Sequence, residues 1–207
     1  PLSQTSYGDS PYQSFSIYAG NPYFISLETL EEEGLLKHEE YADISWCEDP
    51  RYIDYATMYE NFYKVMRLAF GRFLKDTNGN VSDEYTEFVE GNPWLENYTL
   101  FMALKDAHGG KSWSEWEKPL RLRNKNAVDS AKKKYAKDME FYAFLQFKFF
   151  QQWFRLKEYA NGNGIQIIGD IPIYCALDSA DVWCEAQLFQ LDKDRVPTVV
   201  AGFPPDA

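Results

Sequence analysis

The sequence has few of the residues on which metal and thiol chemistry depend. Its 207 residues include only two histidines, His38 and His108, and three cysteines without C-x-x-C spacing (Cys47, Cys175 and Cys184). The histidines are isolated from each other and from any cysteine motif, which predicts neither a zinc site nor a Cys-His or Ser-His catalytic pair. We expect no metal ion and no cofactor, and we interpret the cysteines as reduced, partly buried thiols of a cytosolic protein.

Long apolar runs and an excess of positive charge are also lacking. The apolar stretches are short and interrupted, so neither a transmembrane helix nor a signal peptide is expected. The net charge of −11 disfavours a nucleic-acid partner, because binding to phosphates depends on Lys and Arg. The one basic run, residues 132–134, falls in a predicted helix and is interpreted as a solvated face. We therefore expect a cytoplasmic protein with no nucleic-acid and no membrane partner.

Aromatic residues are abundant. The chain has 15 Tyr, 15 Phe and 6 Trp, and some of them must build the core because each buries a large area. Sugars present apolar C–H faces to aromatic rings, so this composition is compatible with a carbohydrate-binding protein. Composition by itself carries that interpretation no further.

The middle of the chain has helical periodicity. Residues 1–25 have the turn-forming dipeptides of a loop, and Ser26 can cap a short acidic helix that ends at Gly34. Further predicted helices cover residues 54–74, 82–91 and a segment that opens at Asn92-Pro93, and one long helix covers residues 127–160.

The pattern changes after this helical block. The β-branched run at residues 165–169 predicts a strand buried on both faces, which completes half of an α/β repeat. Ser179 begins another predicted helix, and residues 188–201 predict a hairpin around a charged turn. Asp178 and Asp181 are interpreted as caps of the predicted helix that Ser179 begins.

Asp170 comes directly after the predicted strand. At the carboxyl end of a strand in a parallel α/β barrel, a carboxylate is well placed to contact substrate. The alternative is that Asp170 stabilises a turn before Pro172. Its position alone does not decide between the two interpretations.

Three motifs carry a resemblance to a known family. They are S-Y-G-D-S-P-Y-Q-S-F-S with A-G-N-P-Y (residues 6–16 and 19–23), G-D-I-P-I-Y with D-S-A-D-V-W (residues 169–174 and 178–183), and V-V-A-G-F-P-P-D (residues 199–206). Their order and spacing resemble those of bacterial amylomaltases, which are 4-α-glucanotransferases.

The resemblance implies an α/β fold, an incomplete α-amylase-type (β/α)8 TIM barrel with a helical insertion. Residues 1–30 would begin the barrel and carry a substrate loop, and residues 31–126 would form the helical insertion. Residues 127–207 would supply a barrel helix, a strand and the start of an active-site loop. From the character of both chain ends we expect part of a longer protein.

The resemblance also implies roles for single residues. Those matching Tyr12 and Asp170 line the donor-sugar site, and Ser10 matches a residue near the bound glucan. Tyr7 matches an aromatic residue of a more distant glucan site, and Asp206 belongs to a loop that covers substrate. The expected partners are maltooligosaccharides and related α-1,4-glucans.

The chain does not contain the family's nucleophile motif. That nucleophile is the Asp of an R-I-D-H-F-R-G type segment, followed later by an acid/base Glu and a stabilising Asp, and no such segment occurs here. We therefore assign no catalytic residue in this chain. The alternatives to part of a glucanotransferase are a non-catalytic glucan-binding module and part of an amylase-type hydrolase.

Overall fold

Helices dominate the architecture. The structure is a computed structural model that describes residues 2–3, 10, 12–49, 51–76, 82–170 and 175–199. Within these ranges the α-helices are α1 (Leu27–Glu32), α2 (Tyr55–Asp76), α3 (Asp83–Gly91), α4 (Trp94–Ala107), α5 (Lys118–Arg121), α6 (Lys125–Lys134), α7 (Ala136–Gly162) and α8 (Ala180–Cys184).

The predicted helix starts are confirmed where a side chain caps the helix. Ser26 accepts a hydrogen bond from the Thr29 amide at the start of α1, and Ser82 accepts one from the Tyr85 amide at the start of α3. Ser179 does the same for the Val182 amide at the start of α8. Each hydroxyl satisfies an amide that has no partner within its helix.

The prediction of one helix over residues 127–160 is wrong. The helix is interrupted at Tyr135, whose backbone angles (φ −106°, ψ 18°) are not helical, and α6 and α7 lie on either side of it. Three lysines fill the last turn of α6, where positive charge interacts favourably with the helix dipole. Lys132 is not purely solvated either, since its Nζ lies 2.7 Å from a Glu96 carboxylate oxygen on α4.

The centre of α7 organises the core. Every residue from Phe141 to Phe149 is buried, so this part of the helix is covered on all sides. Its rings pack on other helices: Phe70 of α2 lies 5.5 Å from Phe141 and Tyr85 of α3 lies 5.2 Å from Phe147, between centroids. The same cluster of buried residues extends through α4 to Trp183 of α8.

Two polar residues on the buried part of α7 have specific partners. Gln146 is fully buried; its Oε1 accepts the Gly20 amide at 2.8 Å, and its Nε2 donates to the Gly20 carbonyl at 3.0 Å. Lys148 donates to Glu33 at 2.8 Å and to Gln151 at 3.0 Å. A buried polar group without a partner would lose its interactions with water uncompensated. These bonds therefore fix the N-terminal loop (residues 12–20) and the end of α1 against α7.

The strand predicted at residues 165–169 is not formed among the described residues. The segment has no ladder partner among the described residues, and all of it is exposed, with Ile168 93% accessible. A β-strand needs a neighbour to satisfy its amides and carbonyls and to cover its side chains. The apolar pattern is present, but no described residue supplies that neighbour.

The hairpin is confirmed as a tight turn without regular strands among the described residues. Leu191 and Pro197 form an isolated antiparallel bridge. The Asp192 amide donates to the Val196 carbonyl at 2.8 Å, and the Thr198 amide donates to the Gln190 carbonyl at 2.9 Å.

Further expectations concern the cysteines, membrane-spanning helices, metal ligands and the division of the chain. The three cysteines are free and partly buried, as predicted. Among the described helices, none combines the length and the apolar character needed to cross a bilayer. In the same residues, no group of His, Cys, Asp and Glu side chains is arranged to hold a metal ion. The three-part division of the chain stays a prediction.

Gly20 tests the contact between the N-terminal loop and α7. A Cβ on Gly20 would lie 2.0 Å from the Phe149 ring, so we expect Gly20→Ala to lower the free energy of unfolding by about 1–3 kcal/mol. Urea denaturation measures this value. Gly71→Ala is the matched control, because Gly71 lies in α2 with nothing within 4 Å of its added Cβ.

In that control the free energy of unfolding should rise by about 0.5–1 kcal/mol, the difference in helix propensity between Ala and Gly. Equal effects of the two substitutions would contradict the packing of Gly20 on Phe149.

Candidate functional site

The structure brings together Tyr12 and Asp170, two of the residues singled out in the sequence. The Tyr12 hydroxyl donates a hydrogen bond of 3.0 Å to Oδ2 of Asp170, although 158 positions separate the residues. Both side chains are exposed, and Tyr12 is 52% accessible. This pair presents a carboxylate, a hydroxyl and an aromatic face at one place on the surface.

Ser10 lies beside Tyr12 in the chain and supports it locally. The Gln13 amide donates to the Ser10 carbonyl at 3.1 Å, which closes a turn around Tyr12. The Tyr12 amide also lies 3.4 Å from the Ser10 hydroxyl oxygen. Ser10 is thus near the pair. Tyr7 and Asp206, the other two predicted site residues, lie outside the described residues, as does Pro172.

The predicted capping role of Asp178 is wrong. Its carboxylate accepts from the Lys105 ammonium at 2.6 Å and from the Trp113 amide at 3.2 Å, while Ser179 caps α8. Lys105 is buried, so its charge needs a nearby anion. The Trp113 indole donates to the Leu177 carbonyl at 2.6 Å. Together these bonds attach the second segment (residues 175–184) to α4 and the chain that follows it.

Asp181 also has a tertiary role instead of the predicted capping role. Its Oδ2 accepts the Ile17 amide at 2.8 Å, and its Oδ1 accepts the Ser16 hydroxyl at 3.0 Å. The Ala180 amide donates to the Phe15 carbonyl at 2.8 Å. The second segment is therefore bound directly to the N-terminal loop that follows Tyr12.

Local sequence contains little indication of these bonds. Asp178 and Asp181 flank a helix start, where Asp is common as a cap, so their local sequence favours a capping role. Gln146 had a clearer signal, since a single amide within an apolar helical stretch requires a buried hydrogen-bond partner. Which backbone supplies that partner depends on the tertiary fold.

The electrostatics differ between the exposed pair and the supporting contacts. The hydrogen bond to Asp170 and that residue's negative charge raise the pKa of Tyr12, so its hydroxyl remains protonated and able to donate. Burial raises the pKa of Asp181, and the bonds from Ile17 and Ser16 oppose that rise. Burial also raises the pKa of the Cys175 and Cys184 thiols to about 12, so both are poor nucleophiles.

A separate pocket of about 140 Å³ lies among α2, α4 and α7. Two of its polar groups have partners: the Arg67 guanidinium lies 3.0 Å from the carboxylate of Asp138, which is outside the lining, and the Tyr142 hydroxyl donates to Asp106 at 2.8 Å. None of its lining residues is a predicted site residue. The lining consists of Tyr59, Tyr63, Arg67, Asp106, Phe141 and Tyr142.

Comparison with known proteins identifies the family. The family model described as 4-alpha-glucanotransferase matches residues 1–207. The chain belongs to the 4-α-glucanotransferase family. It is 44% identical to a 4-alpha-glucanotransferase from Clostridium butyricum and 45% identical to one from Thermus thermophilus, in both cases over 100% of this chain.

A solved member of the family has the same fold over the whole chain. The structure of an amylomaltase from Streptococcus agalactiae in complex with acarbose matches with a TM-score of 0.95 and 40% sequence identity, covering 100% of this chain and 42% of that one. The chain spans 42% and 40% of the lengths of the Clostridium and Thermus 4-α-glucanotransferases.

The Lys105–Asp178 ion pair provides a test of how the second segment is held. We expect Lys105→Ala to lower the free energy of unfolding by about 1–3 kcal/mol, because it leaves the partly exposed Asp178 carboxylate without its cation. Thermal or urea unfolding measures the change. Lys132→Ala removes a lysine from a more exposed pair with Glu96 and should cost less than about 1 kcal/mol.

The double variant Lys105→Met with Asp178→Asn completes this test. It should be more stable than Lys105→Ala, because neither charge remains unpaired. Equal stability of Lys105→Ala and Lys132→Ala would contradict a structural role for the buried pair.

Proposed function

We propose that the protein transfers α-1,4-glucan segments between maltooligosaccharides and that this chain supplies part of its donor-sugar site. The observation that carries the proposal is the hydrogen bond between Tyr12 and Asp170. These residues come from two separate motifs that resemble the family's sugar-binding motifs. Family membership and the acarbose complex of the Streptococcus amylomaltase support the same substrate class.

The chemistry of the pair suits a sugar ring. An ionised carboxylate accepts hydrogen bonds from sugar hydroxyls, and such charge-assisted bonds are stronger than neutral ones. Among the described residues the Asp170 carboxylate accepts one hydrogen bond, from Tyr12, and a carboxylate has several acceptor positions. The tyrosine ring provides an apolar face next to it. In this proposal Ser10 contacts the bound glucan, and Tyr7 belongs to a more distant glucan site.

We further propose that the exposed segment at residues 165–169 is a strand of a (β/α)8 barrel in the complete protein. Its neighbours would come from the part of the relatives' length that this chain does not span. Ile165, Ile167 and Ile168, which are exposed here, would then be covered. The helical insertion at residues 31–126 and the barrel segments on either side belong to the same proposal.

Transfer without hydrolysis requires that water be kept from the reaction centre. The proposed reaction proceeds through a glycosyl-enzyme intermediate in which a carboxylate holds the donor segment, and either a glucan hydroxyl or water can attack it. A loop that includes Asp206 would cover the substrate and favour the glucan acceptor. The nucleophile and the acid/base are assigned to no residue of this chain.

A cytoplasmic location is part of this proposal. Relatives from rice and potato are named chloroplastic/amyloplastic, so location varies within the family.

Substitution of the pair tests the proposed site. In the complete gene product that contains this chain, Asp170→Ala should lower kcat/KM for maltotriose disproportionation about 10- to 150-fold, the effect of losing a charged hydrogen-bond acceptor. Tyr12→Phe keeps the ring and removes the hydroxyl, and should lower kcat/KM about 5- to 10-fold. Glucose release and the formation of longer glucans are measured by chromatography.

Tyr159→Phe is the matched control for Tyr12→Phe. Tyr159 is an exposed tyrosine near the end of α7, and its loss of a hydroxyl should leave kcat/KM unchanged. Near-normal turnover of Asp170→Ala would instead favour the interpretation that Asp170 only stabilises a turn.

The 207-residue chain by itself should have no measurable disproportionation activity, since it contains no segment like the family's nucleophile motif. The assay uses maltotriose and detects both glucose and longer glucans. Formation of both products would contradict the prediction. Release of glucose without longer glucans by the complete gene product would favour a hydrolase, and binding of maltotriose without turnover would favour a glucan-binding module.

A further inference from the structure

The N-terminal loop and the segment after Asp170 are joined at three successive positions. Tyr12 donates to Asp170, the Phe15 carbonyl accepts from the Ala180 amide, and Asp181 accepts from Ser16 and Ile17. The bond between Tyr12 and Asp170 is at the exposed end of these three contacts. Asp181, which is partly buried, forms the other end.

Both oxygens of Asp181 are used within the protein. The Ser16 hydroxyl, on a residue that is 1% exposed, donates to Oδ1, and the Ile17 amide donates to Oδ2 at 2.8 Å. The Cys175 thiol lies 3.7 Å from Oδ2. A carboxylate that is partly buried and bonded in this way is not free to bind a sugar. Its interactions act on the backbone of the N-terminal loop.

The effect of Asp181 reaches Tyr12 through a short series of bonds. The Ser14 hydroxyl donates to the Ser16 carbonyl at 2.9 Å, so the backbone held by Asp181 also holds Ser14. Ser14 is buried, which fixes the chain two residues after Tyr12. At the other end of the loop, Gln146 binds Gly20. Tyr12 is therefore oriented by a loop fixed on its C-terminal side.

We propose that Asp181 is a positioning residue of the sugar site: it holds the N-terminal loop so that the Tyr12 hydroxyl meets the Asp170 carboxylate. The kinetic test of this inference rests on the proposed function. The contact between Asp181 and the N-terminal loop is independent of that function. Small misplacements of a binding group cost a large factor in rate, since productive geometry is narrow. The role of Asp181 is therefore to act through Tyr12 and not on the glucan itself.

A double-mutant cycle in the complete gene product tests this role. The variants are Asp181→Asn, Tyr12→Phe and the combination, and kcat and KM for maltotriose are measured for each. Asp181→Asn should lower kcat/KM about 5- to 10-fold in the otherwise unchanged protein, which is no more than the loss of the Tyr12 hydroxyl itself causes. In the Tyr12→Phe background, Asp181→Asn should lower kcat/KM less than about threefold, because the hydrogen bond between Tyr12 and Asp170 is already absent.

Asp54→Asn is the matched control for this cycle. Asp54 accepts the Thr57 amide at 3.1 Å and the Thr57 hydroxyl at 2.7 Å, the same pair of donor types, at the start of α2. Its substitution should have the same effect on kcat/KM in the unsubstituted protein and in the Tyr12→Phe background. If Asp181→Asn fails to fold, Ser16→Ala replaces it, because this change removes the hydroxyl that donates to Oδ1.

A second readout separates this inference from the proposed function. The protein is labelled with 3-fluorotyrosine, and the resonance that disappears in Tyr12→Phe is assigned to Tyr12. In Asp181→Asn this ¹⁹F resonance should shift or broaden as the bond to Asp170 is lost, and in Asp54→Asn it should not. This measurement requires no substrate and no turnover.

The outcomes are distinct. The Tyr12 resonance could change in Asp181→Asn while the unsubstituted protein shows no disproportionation. That result would support the positioning role of Asp181 and contradict the proposed function. An unchanged Tyr12 resonance in Asp181→Asn would overturn the inference whatever the activity. Equal fold-losses from Asp181→Asn in the two backgrounds would also overturn it, since they would show a general structural effect.

Discussion

The complete burial of the middle of α7 is the constraint on which the rest of the structure depends. A helix covered on all sides has no solvent for its polar side chains, so Gln146 must find partners inside the protein. It finds them in the amide and the carbonyl of Gly20, at a point where the absence of a Cβ lets the backbone approach Phe149. One end of the N-terminal loop is thereby fixed to the core, and Tyr12 lies at the other end of that loop.

The same physical rule explains the second attachment. Lys105 is buried and needs an anion, and Asp178 provides it from the segment after Asp170. Two attachments therefore support the candidate site: the helical core holds the loop with Tyr12 through Gln146, and it holds the segment after Asp170 through Lys105. Both members of the exposed pair are thus adjacent to segments that buried groups attach to the core. Such support of a binding site by buried polar contacts is a general requirement for precise positioning.

Local signals in the sequence were sufficient for some elements and not for others. Ser26, Ser82 and Ser179 cap the helices that they predicted, since capping depends only on residues within one turn. The hydrophobic periodicity continues through the break at Tyr135 and does not report it. A strand at residues 165–169 depends on neighbours distant in the chain, which periodicity does not report either. Asp178 and Asp181 were misinterpreted for the same reason, because their local pattern fits a cap while their partners lie elsewhere. The pairing of Tyr12 with Asp170 was anticipated only through a family resemblance, and no property of either motif alone indicates that they meet.

The central claim is that Tyr12 and Asp170 form one face of a donor-sugar site. A crystal structure of the complete gene product with bound acarbose tests it most directly. The account predicts a single sugar ring of acarbose within hydrogen-bond distance of the Asp170 carboxylate, with Tyr12 in contact with the same ring. Acarbose bound with neither residue in contact would contradict the account.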